Sequence, residues 1–287
     1  FTLSVLDIPG ATVETFHPKA VHLYGNTLYV ANDAPGHYSL EVFDVSSGNV
    51  RHVKSMVEWM NGDKKETFAG EPNGVTRSYG KIYVTNTGSR TDVFDAETYE
   101  FITCIGTGTW GEGGYQTVHA FDVTASQGAV FIRDKRKLVV VLEQDVQPGS
   151  AARVPIYSRS VNLQEAMGTY AVAARNDGFL YVTAQNKNII YLFDPADIRA
   201  GDTGFAPYLV TLGFEKSPQS IAFVGDRLFV TLRVDDKRSE LWEISPKNGK
   251  LLQDFTDSMV YPEKIAGARH TLLVVDRATQ TVKAIGL

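Results

Sequence analysis

Six polar side chains recur at one place in six β-rich segments, each two residues before the first apolar anchor of its segment: Lys19, Asn73, His119, Tyr170, Gln219 and Glu263. Together they supply an ammonium, a carboxylate, an imidazole, a phenol and two amides. Loops that follow the next strand of each segment add Asn32, Asn86, Arg133, Asp134, Gln185, Arg233, Asp276 and Arg277, and just upstream stand His17, Glu71, Trp110, Tyr115 and Gln116. Bidentate guanidinium donors beside aromatic platforms such as Trp110 suit a sugar or an acidic sugar chain. The same set also offers proton chemistry. Arg133 or Arg233 could neutralise a uronate carboxylate, His119 could take a proton and Tyr170 could give one. A channel filled with water alone would be lined as well by Ser, Thr and Asn, so the mixture of types favours a ligand.

These residues converge only if the segments form a ring. Each segment has a short strand, a turn with Gly or Asn-Gly character, and a β-branched or aromatic second strand. A third strand follows and often ends in Phe-Asp. The anchors read from the sequence are Val21, Val75, Phe121, Val172, Ile221 and Ile265, spaced by 54, 46, 51, 49 and 44 residues. Repeats of about 40–50 residues with this strand content predict four-stranded blades. The expected fold is all-β, a six-bladed β-propeller formed as one domain over residues 1–287. The sixth copy supplies three strands before Leu287, and Phe1–Ile8 (FTLSVLDI) is a strand without a blade. Pairing the N-terminal strand with the last blade closes the ring and removes two open sheet edges. The run Gln144–Gln164 departs most from the blade pattern and reads as a lid or an outer strand with loops, and only Asn162–Met167 suggests a helical turn.

Composition narrows the function classes. Hydrophobic residues are 43% and charged residues 21%, as in a folded globular chain. A net charge of −5 argues against nucleic acid, which needs a basic surplus. The basic run Arg133–Lys137 reads as a solvated turn, as do the charged stretches Asn61–Glu66 and Val234–Glu240. One cysteine, Cys104, excludes an intrachain disulfide and reads as a small buried hydrophobe. No apolar run approaches the roughly 20 residues that span a bilayer. The chain opens on Phe1 rather than Met, as a processed or truncated product would.

Tyr83-Val84-Thr85-Asn86, followed by DVFDAET, resembles the YVTN family of β-propeller repeats. The segment from Cys104 to Glu112 (CIGTGTWGE) is similar to the glycine-rich stretch between NHL blades. The resemblance implies a bacterial six-bladed propeller used mainly for binding, in the periplasm, as a cell-surface lipoprotein, or secreted. Pro72-Asn73-Gly74-Val75 is similar to a segment of gluconolactonase-like propellers, which hold a divalent cation. The other ring positions depart from that pattern, because Lys19 opposes a cation and only Asn73 and Glu263 offer hard oxygen ligands. No metal and no cofactor is therefore expected.

The function expected first is a non-catalytic binding propeller. Its polar channel mouth would be presented to a carbohydrate, a small anionic ligand or a partner protein. No G-x-S-x-G, H-E-x-x-H or P-loop motif is present. The alternative is a propeller-fold polysaccharide lyase acting on uronate-containing glycans through His119, Tyr170 and Arg133. A metal-dependent lactonase-like hydrolase is the third reading.

Overall fold

The computed structural model describes residues 1–106, 119–134, 138–149, 157–159, 171–194 and 208–287. Six four-stranded antiparallel sheets are arranged as the blades of a β-propeller. Blade 1 runs Pro18–Tyr24, Thr27–Asn32, Ser39–Asp44 and Arg51–Met56, from the channel outward. Blade 2 has Pro72–Ser78, Lys81–Asn86, Arg90–Asp95 and Phe101–Ile105, and blade 3 has Ala120–Ser126, Ala129–Asp134, Leu138–Leu142 and Tyr157–Arg159. Blade 4 comprises Val172–Ala174, Leu180–Ala184, Ile189–Phe193 and Tyr208–Gly213. Blade 5 comprises Ser217–Val224, Arg227–Arg233, Ser239–Ile244 and Leu251–Asp254. Blade 6 takes three strands from the end of the chain, Pro262–Ala268, Thr271–Asp276 and Thr281–Gly286, and its outer strand from the start, Thr2–Leu3. Thr2 pairs with Lys283 and Leu3 with Val282, so the ring closes as the repeat arithmetic requires.

The second strands carry the core because they are buried on both faces. Side chains along a strand alternate between faces, so each strand serves two interfaces. Leu272 and Val274 pack towards blade 5, whereas Leu273 and Val275 pack towards blade 1. Tyr29 faces blade 2 and Tyr83 faces blade 3, while Leu28 and Val30 turn to blade 6. Six apolar clusters result, one between each pair of neighbouring blades, and the one joining blades 6 and 1 gathers Leu3, Val21 and Leu273.

The inner strand of blade 3 sits in a register different from the sequence reading. Val123 pairs with Ile132 as Val21 pairs with Val30, so Val123 is the anchor and not Phe121. The spacings become 54, 48, 49, 49 and 44 residues. Phe121 is apolar yet half-exposed, and apolarity alone made it look like a core position.

One element has no blade signature. Glu58–Asn61 and Lys64–Thr67 form a hairpin between blades 1 and 2, and its turn accounts for the charged stretch at Asn61–Glu66. Trp59 anchors it, stacked on Phe101 at 5.7 Å and edge-on to Phe94 at 5.0 Å. Cys104 is buried, and burial pushes its thiol up to about 11, consistent with a packing role.

Asp92, in the third strand of blade 2, is fully buried beside Arg90 Nε at 2.7 Å and accepts from Asn86 Nδ2 at 2.9 Å. Burial outweighs the Arg90 charge and raises its carboxyl from 3.8 to about 7. Below pH 4 both the folded and the unfolded chain hold this proton. Between about pH 4 and 7 only the unfolded chain releases it, so stability falls across that window. Denaturant melts against pH should show the wild type losing stability relative to Asp92→Asn from pH 4 to 7, with no further relative loss above it. A constant difference would place the Asp92 carboxyl in the ordinary range.

Candidate functional site

Three of the inner strands open on proline, at Pro18, Pro72 and Pro262, and that of blade 5 carries Pro218 at its second position. The first residue of a strand tolerates proline, which fixes φ and has no N–H to give to the ladder. The ladder then skips one residue in five blades. The breaks fall between Pro18 and Ala20, Pro72 and Gly74, Ala120 and Asp122, Pro218 and Ser220, and Pro262 and Lys264. The skipped residues are Lys19, Asn73, Phe121, Gln219 and Glu263. A bulge releases its residue from the pleat and re-aims the side chain, and all five line one cavity of about 510 Å³ at the channel mouth.

Four of the expected ring residues are therefore brought together, and the third blade contributes Phe121 in place of His119. The two-residue register error has a direct cost for the site. His119 lies outside the ring and its Nδ1 donates to the Thr87 carbonyl of blade 2 at 2.8 Å. Tyr170 and Trp110, with Tyr115 and Gln116, lie outside the described residues. Gln185 and Arg233 do line the cavity, and Arg233 is paired with Asp236.

Two expected ligand contacts are corrected. Asn86 is fully buried, gives Nδ2 to Asp92 at 2.9 Å and accepts from Gly88 N at 3.1 Å. It organises a turn, as Asn32 does when it accepts from His17 N at 2.7 Å and Asp276 when it accepts from Tyr261 N at 3.0 Å. These strand ends are polar because they hold loop backbones. Arg133 has no exposed surface, and burial lowers its guanidinium to about 9, so it is not a donor on an open mouth. The basic run that contains it continues at Lys135–Lys137, outside the described residues.

Charges around the mouth compensate one another. Lys19 Nζ meets Glu263 Oε1 at 2.9 Å and Asp33 Oδ2 at 3.9 Å, and Arg277 approaches Glu263 Oε1 at 3.4 Å. Burial raises the Asp33 carboxyl, Lys19 partly offsets this, and Glu263 and Glu71 push it further up. A second cavity of about 450 Å³ shares Lys19, Glu71, Glu263 and Arg277 with the first and extends the mouth towards blade 1. Asn73 lines the first cavity and is itself buried, with its Nδ2 enclosed and without a hydrogen-bond partner. Gln219 accepts from Ser239 Oγ through Oε1 at 3.0 Å, which leaves Nε2 for the cavity.

The floor of the mouth was not foreseen. The residue immediately before each anchor is small in four blades, at Ala20, Gly74, Ala171 and Ser220, but charged in blades 3 and 6, at Asp122 and Lys264. Blades 3 and 6 face each other across the channel, and Lys264 Nζ lies 3.4 Å from Asp122 Oδ1. Opposite charges at equivalent positions of opposed repeats were the available signal. Gly74 makes room for this pair, because a Cβ there would stand 2.9 Å from Asp122 Cα. Asp122 Oδ2 also accepts from Val172 N at 3.0 Å and so ties blade 3 to blade 4. Below the pair lies a narrower space of about 170 Å³ bordered by His22 and Arg77. Burial, with Arg77 nearby, holds the His22 imidazole down at about 4.

Among the described residues no group of three or more His, Cys, Asp or Glu side chains is arranged to hold a metal ion. No described helix is long and apolar enough to cross a membrane.

No protein-family model matches the chain, and no curated protein matches it by sequence. Solved structures similar in fold include the virginiamycin B lyase of Staphylococcus aureus, at 11% identity and a TM-score of 0.63 over 100% of this chain and 98% of that one. A chain of the mitotic checkpoint complex matches with 11% identity and a TM-score of 0.64, over 100% of this chain and 91% of that one. The Swd1 β-propeller domain of Myceliophteria thermophila matches with 11% identity and a TM-score of 0.61, over 97% of this chain and 99% of that one. At such identities the likeness is one of fold alone.

Proposed function

We propose that the channel mouth binds a small polyhydroxylated ligand, a carbohydrate, without cleaving it. The observation that carries this reading is the polar lining of a cavity of about 510 Å³, where the amide residues Asn73, Gln185 and Gln219 stand beside the Lys19–Glu263 pair. A ligand hydroxyl can both donate to and accept from such groups. Gln219 Nε2 and the side chain of Gln185 extend the same amide lining. The choice of a neutral sugar over a small anion rests on the charges. Lys19 and Arg277 both approach Glu263, and Arg233 is paired with Asp236, so the mouth offers alternating donors and acceptors rather than a cationic pocket. Sugars are recognised by such alternation, with each hydroxyl acting as donor and acceptor. The resemblance of Tyr83-Val84-Thr85-Asn86 to YVTN repeats supports a place for this binding at a bacterial envelope or outside the cell.

This arrangement supports the lyase reading less, although Arg233 lines the mouth. Arg133 is enclosed, and the His119 ring is held by Thr87 beside the ring rather than in it.

Calorimetric titration with neutral oligosaccharides, uronate oligosaccharides and inorganic phosphate tests the proposal. Neutral saccharides should bind. Asn73→Ala and Gln219→Ala should each weaken them about tenfold, the equivalent of one hydrogen bond. Saccharide recovered with an unsaturated end would establish cleavage instead. Binding of phosphate alone, or undiminished binding by both variants, would overturn the assignment.

A further inference from the structure

Lys264 occupies an unusual position for a lysine. Its Nζ sits on the floor of the mouth cavity, at the end of a side chain that is 9% exposed. Its amine contacts Asp122 Oδ1 and the Phe121 carbonyl, each at 3.4 Å. We propose that Lys264 forms a reversible imine with the carbonyl carbon of a ligand seated in the mouth, with Asp122 as proton donor and then as counter-ion. The proposal rests on the saccharide reading above and specifies its substrate class: a reducing saccharide, presenting its open-chain carbonyl downward.

The chemistry needs an uncharged amine and an acid within reach of the leaving oxygen. Burial drives both partners that way, lowering the Lys264 ammonium and raising the Asp122 carboxyl. Passing the ammonium proton to the Asp122 carboxylate leaves the net charge of the pair unchanged, so freeing the amine needs no outside base. The amine lone pair forms the C–N bond, and the carbonyl π pair moves to oxygen, which takes a proton from nitrogen. The Asp122 carboxyl then protonates that hydroxyl, the C–O bond breaks, and one water leaves as the nitrogen lone pair completes C=N. The product is an iminium facing the Asp122 carboxylate, the charge arrangement that ammonium and carboxylate had before. Water returning by the same path releases the ligand unchanged, so no oxidant or reductant is consumed. Above the floor, Asn73, Gln219 and the Lys19–Glu263 pair would hold the ligand hydroxyls.

The experiment is reductive trapping. Full-length protein is incubated with D-glucose or D-glucuronate and cyanoborohydride, and adducts are located by peptide mass. The corresponding methyl glycosides, which lack a free carbonyl, are titrated in parallel and added as competitors. The Lys264 peptide should carry about tenfold more adduct than any exposed lysine, because the mouth would hold the sugar carbonyl beside this amine and beside no exposed one. The methyl glycoside should suppress that adduct. Lys264→Met should remove it. An unmodified Lys264 beside exposed lysines that are labelled would overturn the imine. If the glycoside still bound, the saccharide reading would stand, and if it did not, both would fall. Should Lys264→Met fail to fold, the wild-type peptide map and its suppression by glycoside decide the matter alone.

Discussion

Asp122→Ala should lower stability by about 3–5 kcal/mol, the usual cost of leaving one partner of a buried ion pair without the other. Two contacts are lost together. Lys264 keeps a buried amine facing no carboxylate, and Val172 N loses the acceptor that holds the short inner strand of blade 4. For a chain of this size the melting temperature should drop by roughly 6–15 °C. The double variant Asp122→Asn with Lys264→Met separates these contributions. Asparagine can still accept from Val172 N, and an apolar side chain of similar length removes the uncompensated amine. Replacing both partners of a buried pair is commonly neutral or stabilising, so the double variant should lie much closer to the wild type than Asp122→Ala does. Urea melts of the wild type and both variants check this. A double variant as unstable as Asp122→Ala would mean that the pair contributes through its attraction and not merely through the absence of an orphan.

Phe229→Ala should cost a similar amount, about 3–5 kcal/mol, for a different reason. Phe229 has no exposed surface and fills the space between blades 5 and 6 against Leu241, Leu272 and Val274. Its ring lies edge-on to Phe255 at 5.8 Å, and the Arg227 guanidinium stands 5.3 Å from its centroid. Removing the ring leaves a cavity that neighbouring strands, pinned in their own ladders, cannot close. Phe229→Leu keeps most of the volume and should lose far less, about 1 kcal/mol. Because this interface borders the blade completed by Thr2–Leu3, the truncation should also raise amide exchange at Val282 and Lys283. Urea midpoints and hydrogen exchange report the two effects separately. An Ala variant within 1 kcal/mol of the wild type would show that the blade interfaces relax more than a close-packed ring allows.

The arrangement of the mouth explains why its residues were only partly legible. Lys19, Asn73, Gln219 and Glu263 could be placed because each follows a proline and precedes an apolar anchor by a constant step. Blade 3 has no such proline, since Ala120 stands in its place, so the apolar Phe121 reads as the anchor and His119 falls two residues before it, where Phe121 itself belongs. The polar ends of the second strands misled in another way. Asn86 and Arg233 stand one position apart in the repeat, yet one caps a turn from within and the other borders the cavity. Residue type does not tell a side chain that satisfies a backbone from one that awaits a ligand. That depends on whether an unpaired amide is nearby in space.

The all-β class, the count of six blades and the closure by Thr2–Leu3 were determined by the sequence itself. They follow from the two-residue alternation of strands and from a repeat whose two ends add up to one blade, and neither depends on distant contacts. The pairing of Lys264 with Asp122, the orphan amide of Asn73 and the burial of Arg133 were decided only by the tertiary structure. Each reflects what faces a side chain across the channel or between blades. A ring brings together residues 142 positions apart, as at Asp122 and Lys264, and no local pattern records that distance.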